Sequence, residues 1–186
     1  MSDPALFGDF SHADPGPRLG ALELELRALE IVVHWRRCGL TADWLAGFFA
    51  YDFEIEARAA AVSVLSTVAN ELLENAVKFC SDKQRAVRIT IQNHGEFLRF
   101  QTYNRARAAH VSTLRSAIEA LSDDALEQLF AERVQHQAEP GASGIGLLLL
   151  KKDYRARIGA RVEPCTADEW DVEVRVDLDA AEVEQR

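Results

Sequence analysis

Several features that mark whole classes of protein are missing from this 186-residue sequence. Its three cysteines, Cys38, Cys80 and Cys165, are widely spaced and form no Cys-x-x-Cys pair, which argues against a disulfide framework and a zinc site. The amino terminus lacks the basic start and apolar run of a signal peptide. The longest apolar stretch, 145–150, is far too short to cross a bilayer. We therefore expect a cytoplasmic protein with no membrane partner.

Positive charge is also in short supply, since 21 Lys and Arg face 30 Asp and Glu and the net charge is −9. The basic residues are scattered and form no stripe, so a nucleic-acid partner is not expected. They remain compatible with a single polyphosphate ligand. An apolar fraction of 48% and a charged fraction of 27% are ordinary for a globular chain with a full core.

Prolines are few, and residues 1–20 hold three of the five together with three glycines. We expect this segment to be an irregular arm. Residues 21–178 are predicted to form a single ATP-binding domain, for the reasons given below, and the acidic tail 179–186 is predicted to fray.

Hydrophobic periodicity predicts a mixture of helices and short strands. Three- and four-residue steps predict helices at 57–79, 111–137 (one or two) and 145–157, and Thr41 is a candidate N-cap for a helix over 41–51. Alternation predicts strands at 22–26, 86–92, 97–103, 160–165 and 170–178, while 29–37 fits either type. An Asn-His-Gly turn joins the second and third strands as a hairpin. This order predicts an α+β two-layer sandwich in which helices cover one face of a mixed, mostly antiparallel sheet.

The long helix carries a polar stripe of Glu71, Asn75 and Lys78. These residues stand at i, i+4 and i+7 and so share one helix face. A carboxylate that can take a proton, an amide oxygen that can bind Mg²⁺ and an ammonium that can meet phosphate suit a metal–triphosphate site. The alternative is that the stripe is only the solvated face of an amphipathic helix.

A second candidate feature is the glycine cluster Gly141, Gly144 and Gly146, with Ser143 inside it and an apolar helix after it. Closely spaced glycines let backbone N–H groups approach phosphate, and a helix start attracts negative charge. A flexible turn is the alternative explanation.

Together the two features resemble a known superfamily. The segment 70–79 resembles the N-box of the GHKL ATPases and kinases, and 143–147 resembles their glycine-rich lid box, in the same order and with a hairpin between them. The resemblance implies a Bergerat (histidine-kinase-like ATPase) fold with ATP and Mg²⁺ as cofactors. It implies that Glu71 is the general base, that Asn75 binds magnesium and that Lys78 lies near phosphate. The triphosphate would be wrapped by Gly141, Ser143, Gly144, Gly146 and Leu147.

One box departs from the superfamily pattern. Where an Asp-x-Gly-x-Gly motif would read and accommodate adenine, this chain has Asn104, Ala106 and Ala108. Asn104 can still accept a hydrogen bond from adenine, whereas the added methyl groups can obstruct its approach. Segment 35–45 resembles stand-alone regulators related to anti-sigma-factor kinases and SiaB-type serine kinases. That implies a partner resembling an anti-sigma antagonist or a response regulator.

Three functions follow from these observations. The first is a regulatory kinase that phosphorylates a Ser or Thr hydroxyl on a small partner, or a slow ATPase. The second is a catalytically degenerate binding module that acts by docking. The third is a fragment that phosphorylates histidine on another chain, because none of its own five histidines has an acceptor context. The aromatic residues Trp35, Trp44, Phe48 and Phe49 are expected to cover the core, with a homodimer contact as the alternative.

Overall fold

A computed structural model describes residues 3–10, 16–121, 126–127 and 145–185. Within these ranges six strands form one sheet in the order β1-β5-β6-β4-β3-β2, and every neighbouring pair is antiparallel. The strands are β1 (Ala5–Gly8), β2 (Gly20–Arg27), β3 (Ala86–Asn93), β4 (Phe97–Arg107), β5 (Arg157–Pro164) and β6 (Glu169–Asp179).

The helices of the described residues pack on one face of this sheet. They are α1 (Ala28–Val33), α2 (Arg36–Phe49), α3 (Arg58–Phe79), α4 (Ala108–Glu119), α5 (Ile145–Tyr154) and α6 (Ala180–Glu184), with a short 3-10 turn at Ala50–Asp52. The predicted two-layer α+β architecture is therefore confirmed. The 22-residue α3 runs along the centre of the helical layer, and Lys83 closes its end by donating to the carbonyls of Val77, Lys78 and Cys80.

Alternation along the strands separates an apolar from a polar sheet face. Ile89, Ile91 and Phe100 point at the helices and are almost completely buried. On the other face Arg99 and Asp177 form a two-bonded ion pair with both N–O distances at 2.8 Å. The sheet thus has one face that packs on helices and one that carries a hydrogen-bonded polar network.

β1 and β2 are consecutive in sequence but occupy opposite edges of the sheet. After β1 the chain lies on the polar face, where the Arg175 guanidinium carbon lies 3.9 Å from the centre of the Phe10 ring. A side chain at Gly159 would collide with the backbone of Asp9 and Phe10, so this position must stay without a Cβ. The segment reaches the other edge at Leu19, whose N–H donates to Asn93 O at 2.8 Å.

The terminal predictions need correction. The predicted irregular arm over 1–20 is wrong at Ala5–Gly8, because these residues form β1 and pair with β5. The predicted frayed tail is wrong over Ala180–Glu184, which form α6. Asp179 caps this helix by accepting from Ala181 N at 2.9 Å, and Val183 is buried in the core.

Several boundaries also differ from the prediction. Thr41 does not cap a helix, because α2 begins at Arg36 and the ambiguous segment 29–37 becomes helical apart from a break at 34–35. β4 runs on to Arg107 and α4 follows at once. α5 ends at Tyr154 instead of 157, and β5 starts three residues early. Most of the predicted helical region beyond residue 121 lies outside the described residues.

Candidate functional site

The polar stripe of α3 runs from the interior to the surface. Glu71 and Asn75 are half-buried, and Asn75 lines a cavity between α3, α4 and the sheet. Lys78 is exposed, does not line the cavity and places its ammonium 5.4 Å from the centre of the Phe79 ring. The three residues share a helix face as predicted, but of the three only Asn75 lines the cavity.

The Glu71 carboxylate lies in a dehydrated and electronegative environment. Burial raises the pKa of Glu71, and the neighbouring Glu74 carboxylate raises it further. Beneath them the buried Cys38 thiol has a pKa raised to about 12, first by burial and then by Glu74 and Glu71. Glu74 itself accepts a hydrogen bond from Asn70 Nδ2 at 2.9 Å. A raised pKa makes the Glu71 carboxylate a stronger base than an exposed glutamate.

The start of α5 lies directly against Glu71. A Cβ built on Gly146 would overlap Glu71 Oε2 and stand 2.7 Å from Glu71 Cδ, so only glycine leaves the carboxylate where it is. Leu147 is buried and lines the same cavity as Asn75. The fold therefore brings together two motifs that are far apart in sequence. The other predicted loop residues, Gly141, Ser143 and Gly144, lie outside the described residues.

The cavity itself is small and mostly apolar. It is bounded by residues of α3, α4, α5, β4 and β6, and its polar lining residues are Asn75, Thr102, Asn104, His110 and Thr113. It encloses about 50 Å³. That volume suits a few water molecules, whereas pockets for drug-sized ligands enclose roughly 300–1,000 Å³.

Asn104 and Ala106 belong to β4 itself and do not form a separate loop after it. They pair with Val172 and Trp170 of β6 and point into the helical layer. Asn104 is half-buried and borders the cavity. Ala106 is only 3% exposed and belongs to the core, so its methyl group fills space that a glycine would leave open.

His110 also lines the cavity, although the sequence pattern indicated no role for it. It lies in the first turn of α4, and its ring packs on Phe79 with centroids 5.2 Å apart. Its Nδ1 atom is buried without a hydrogen-bond partner among the described residues. Locating it from sequence would have required knowing that α4 starts immediately after β4.

The residues of α3 suit the magnesium and phosphate groups of Mg-ATP better than the cavity suits its adenine base. A carboxylate, an amide oxygen and a nearby ammonium on α3 match the ligand preferences of magnesium and phosphate. The cavity bordered by Asn104 and Ala106 does not have room for a purine between its present walls. Among the described residues there is no cluster of three His, Cys, Asp or Glu side chains that could hold a metal alone.

Comparison with known proteins gives a structural relationship only. No family model and no curated protein sequence matches the chain. A chain in the crystal structure of the SiaB-SiaC complex from Pseudomonas aeruginosa has a similar fold, with a TM-score of 0.60 over 84% of this chain and 89% of that one. The two are 14% identical, so the likeness establishes the fold. Within the described ranges no helix is both long and apolar enough to span a bilayer.

Proposed function

We propose that this protein is a regulatory kinase that docks to a small protein partner and transfers phosphate from Mg-ATP to a hydroxyl of that partner. The observation that carries the proposal is the contact between Gly146 and Glu71, because it joins a glycine-led helix start to a carboxylate of raised pKa. The similar fold in the SiaB-SiaC structure, which is a complex of two proteins, supports a protein partner.

Each predicted residue has a role in this proposal. Bound Mg-ATP would supply an electrophilic phosphorus whose surrounding charge is offset by the metal. Asn75 would hold magnesium through its amide oxygen, and Lys78 would attract phosphate from the rim. The glycine segment, with Gly141, Ser143, Gly144, Gly146 and Leu147, would hold the phosphates through backbone N–H groups.

Glu71 would accept the proton of the incoming hydroxyl. Its raised pKa supports this role, because a general base works best when its pKa lies closer to the working pH. Asn104 would face the nucleotide base only after the cavity widens, because its present volume of about 50 Å³ does not admit a purine. Partner binding would bring the hydroxyl next to Glu71 and exclude water from it.

Phosphotransfer with the isosteric variant Glu71→Gln tests this role. The protein is incubated with Mg²⁺, labelled ATP and a candidate partner, and acid-stable label on the partner is counted. We expect Glu71→Gln to reduce transfer by about 100-fold or more, the usual effect of removing a general base. Glu25→Gln is the matched control, since Glu25 is exposed on the opposite face of the sheet. Equal transfer by wild type and Glu71→Gln would exclude Glu71 as the base, and acid-labile label would indicate a histidine acceptor.

A second candidate function is a docking module that has lost nucleotide binding. The small cavity and the buried Ala106 methyl group favour it. Thermal unfolding with Mg-ATP, with Mg-ADP and without nucleotide distinguishes the two functions. A ligand at about 100 times its Kd stabilises the native state by about 2.7 kcal/mol, which is readily measured. No shift at millimolar nucleotide would support the docking module and contradict the kinase.

A further inference from the structure

Helix α2 is apolar on two opposite faces. Its inner face packs on α3 through residues that are at most 1% exposed, namely Cys38, Ala42, Leu45, Ala46 and Phe49. Its outer face carries large apolar side chains at helical spacing with exposures of 54–72%, namely Leu40, Trp44, Phe48 and, just beyond the helix end, Tyr51. We name these four residues the outer stripe. A helix that is apolar all round is normally covered on both sides.

The outer stripe also corrects the sequence prediction for the aromatic segment. Phe49 is 1% exposed and lies in the core as predicted. Trp35, Trp44 and Phe48 are 45–57% exposed, so the prediction that they cover the core is wrong. Their periodicity is the same as that of core residues, and sequence alone cannot separate the two faces.

Gly47 lies in the middle of the outer stripe. Glycine inside a helix is unfavourable compared with alanine, so an interior glycine usually has a packing reason. Here a Cβ at Gly47 would have no atom within 4 Å, so none of the described residues requires its absence. A missing side chain at the centre of an apolar helix face lets a second helix approach closely, and a helix of another molecule could use this opening.

The size of the patch also suits a protein interface. The exposed surface of the four residues of the outer stripe amounts to roughly 600 Å². A standard protein interface buries about 800 Å² on each partner. The patch continues into a groove of about 280 Å³ between α2 and β2, which Leu24, Leu26 and Leu40 help to line. A patch of this size is at the upper end for monomeric proteins.

Charges at the two ends of the stripe identify its occupant. Arg36 and Arg37 stand at the start of α2, and the exposed Glu54 and Glu56 follow its end, where the Arg58 guanidinium, 4.6 Å from the centre of the Tyr51 ring, offsets part of their charge. Among the described residues Arg36, Glu54 and Glu56 form no ion pair, and Arg37 has only an exposed contact with Glu30 at 3.6 Å. Two copies with antiparallel α2 helices would set the arginines of each against the glutamates of the other. A parallel arrangement would set like charges together.

We propose that two copies of this chain dock through antiparallel α2 helices that cross at Gly47. The contact is isologous, so each stripe covers the other and the charge match occurs twice. It lies on α2 and is independent of the function proposed for the α3 site.

A charge swap on the full-length protein tests this arrangement. Variant one carries Arg36→Glu and Arg37→Glu, and variant two carries Glu54→Arg and Glu56→Arg. In sedimentation velocity over a concentration series, we expect wild type to form a dimer, and we expect each variant alone to dimerise at least tenfold more weakly. An equimolar mixture restores the dimer, because both ends then meet opposite charges. Undiminished dimers of either variant alone, or a mixture that stays as weak as its components, would overturn the antiparallel arrangement.

The crossing point is tested separately with Gly47→Leu and Trp44→Glu. Both positions are open in the single chain, so the variants are expected to fold, as checked by circular dichroism, and to sediment as monomers. Leu19→Glu is the matched control: it removes an apolar side chain that is 72% exposed elsewhere, and it should leave the dimer intact. A dimer that tolerates Gly47→Leu contradicts the crossing. A monomeric wild type at high concentration would reject the second copy and assign the stripe to a different protein.

Discussion

Replacing Glu71 with glutamine should make the protein more stable at neutral pH. The pKa of Glu71 is raised in the folded state by burial first and by Glu74 second. A group whose folded pKa is raised stabilises the fold fully below its unfolded pKa and loses that contribution as the pH rises through the folded pKa. At pH 7 the carboxyl group of Glu71 therefore opposes folding, and Glu71→Gln removes the opposition while keeping the shape of the side chain.

The size of this gain can be bounded from the contacts. Relief of one like-charge pair at i,i+3 on a helix contributes about 0.2–0.5 kcal/mol, and removal of a dehydrated charge adds to it. A total on the order of 1 kcal/mol corresponds to about 2–4 °C in Tm for a domain of this size. The Glu71 carboxylate also packs against the backbone of Gly146, and the neutral amide of Glu71→Gln can occupy the same position.

Thermal unfolding between pH 4 and pH 8 provides the assay. The Tm of Glu71→Gln should exceed that of wild type at pH 7, and the difference should shrink towards pH 4 as Glu71 becomes protonated. Glu25→Gln, at an exposed position on the other face of the sheet, is the control and should show no such pH-dependent difference. A variant that is less stable than wild type at pH 7, or a difference that does not change with pH, would refute the assigned environment of Glu71.

Three further predictions concern neighbouring contacts. Gly146→Ala should change the free energy of unfolding by less than about 1 kcal/mol, because the added methyl group meets the flexible end of Glu71. It should nevertheless abolish phosphate transfer to the partner, since it displaces the Glu71 carboxylate. Unchanged phosphate transfer would argue against the site. Ala106→Gly should open the cavity and strengthen any nucleotide-induced rise in Tm, and a weaker rise would show that the methyl is not the obstacle. Arg99→Met leaves the Asp177 carboxylate, whose side chain is 9% exposed, without its partner and should cost about 3–5 kcal/mol in chemical denaturation, with much of the loss recovered by adding Asp177→Leu.

The elements that sequence predicted best are those whose pattern is local. The helix over 57–79 shows its buried positions as a regular period, and the hairpin shows its turn, where Gly95 adopts a φ of +83°. β1 has no such signal, because a four-residue edge strand is fixed by pairing with β5, which comes much later in the chain. Proline residues near it suggested irregular structure but lie outside the paired residues.

The candidate site divides in the same way. Glu71 and Asn75 follow from helix spacing, and the relation of Gly146 to Glu71 followed from the resemblance to a known superfamily. His110 could not be found, because its position over Phe79 depends on how far β4 continues before α4 begins. The size of the cavity was also beyond the sequence, since it depends on how closely α4 packs on α3 and the sheet.

The proposed kinase requires that Glu71 and Asn75 of α3, together with the start of α5 at Gly146, form a magnesium-dependent nucleotide site. Titration calorimetry with a non-hydrolysable ATP analogue measures this directly in wild type and in Asn75→Ala, each with and without Mg²⁺. We expect saturable binding that needs Mg²⁺ in wild type and is at least tenfold weaker in Asn75→Ala. Absence of binding heat at millimolar nucleotide, or binding that neither magnesium nor the Asn75 substitution affects, would contradict it.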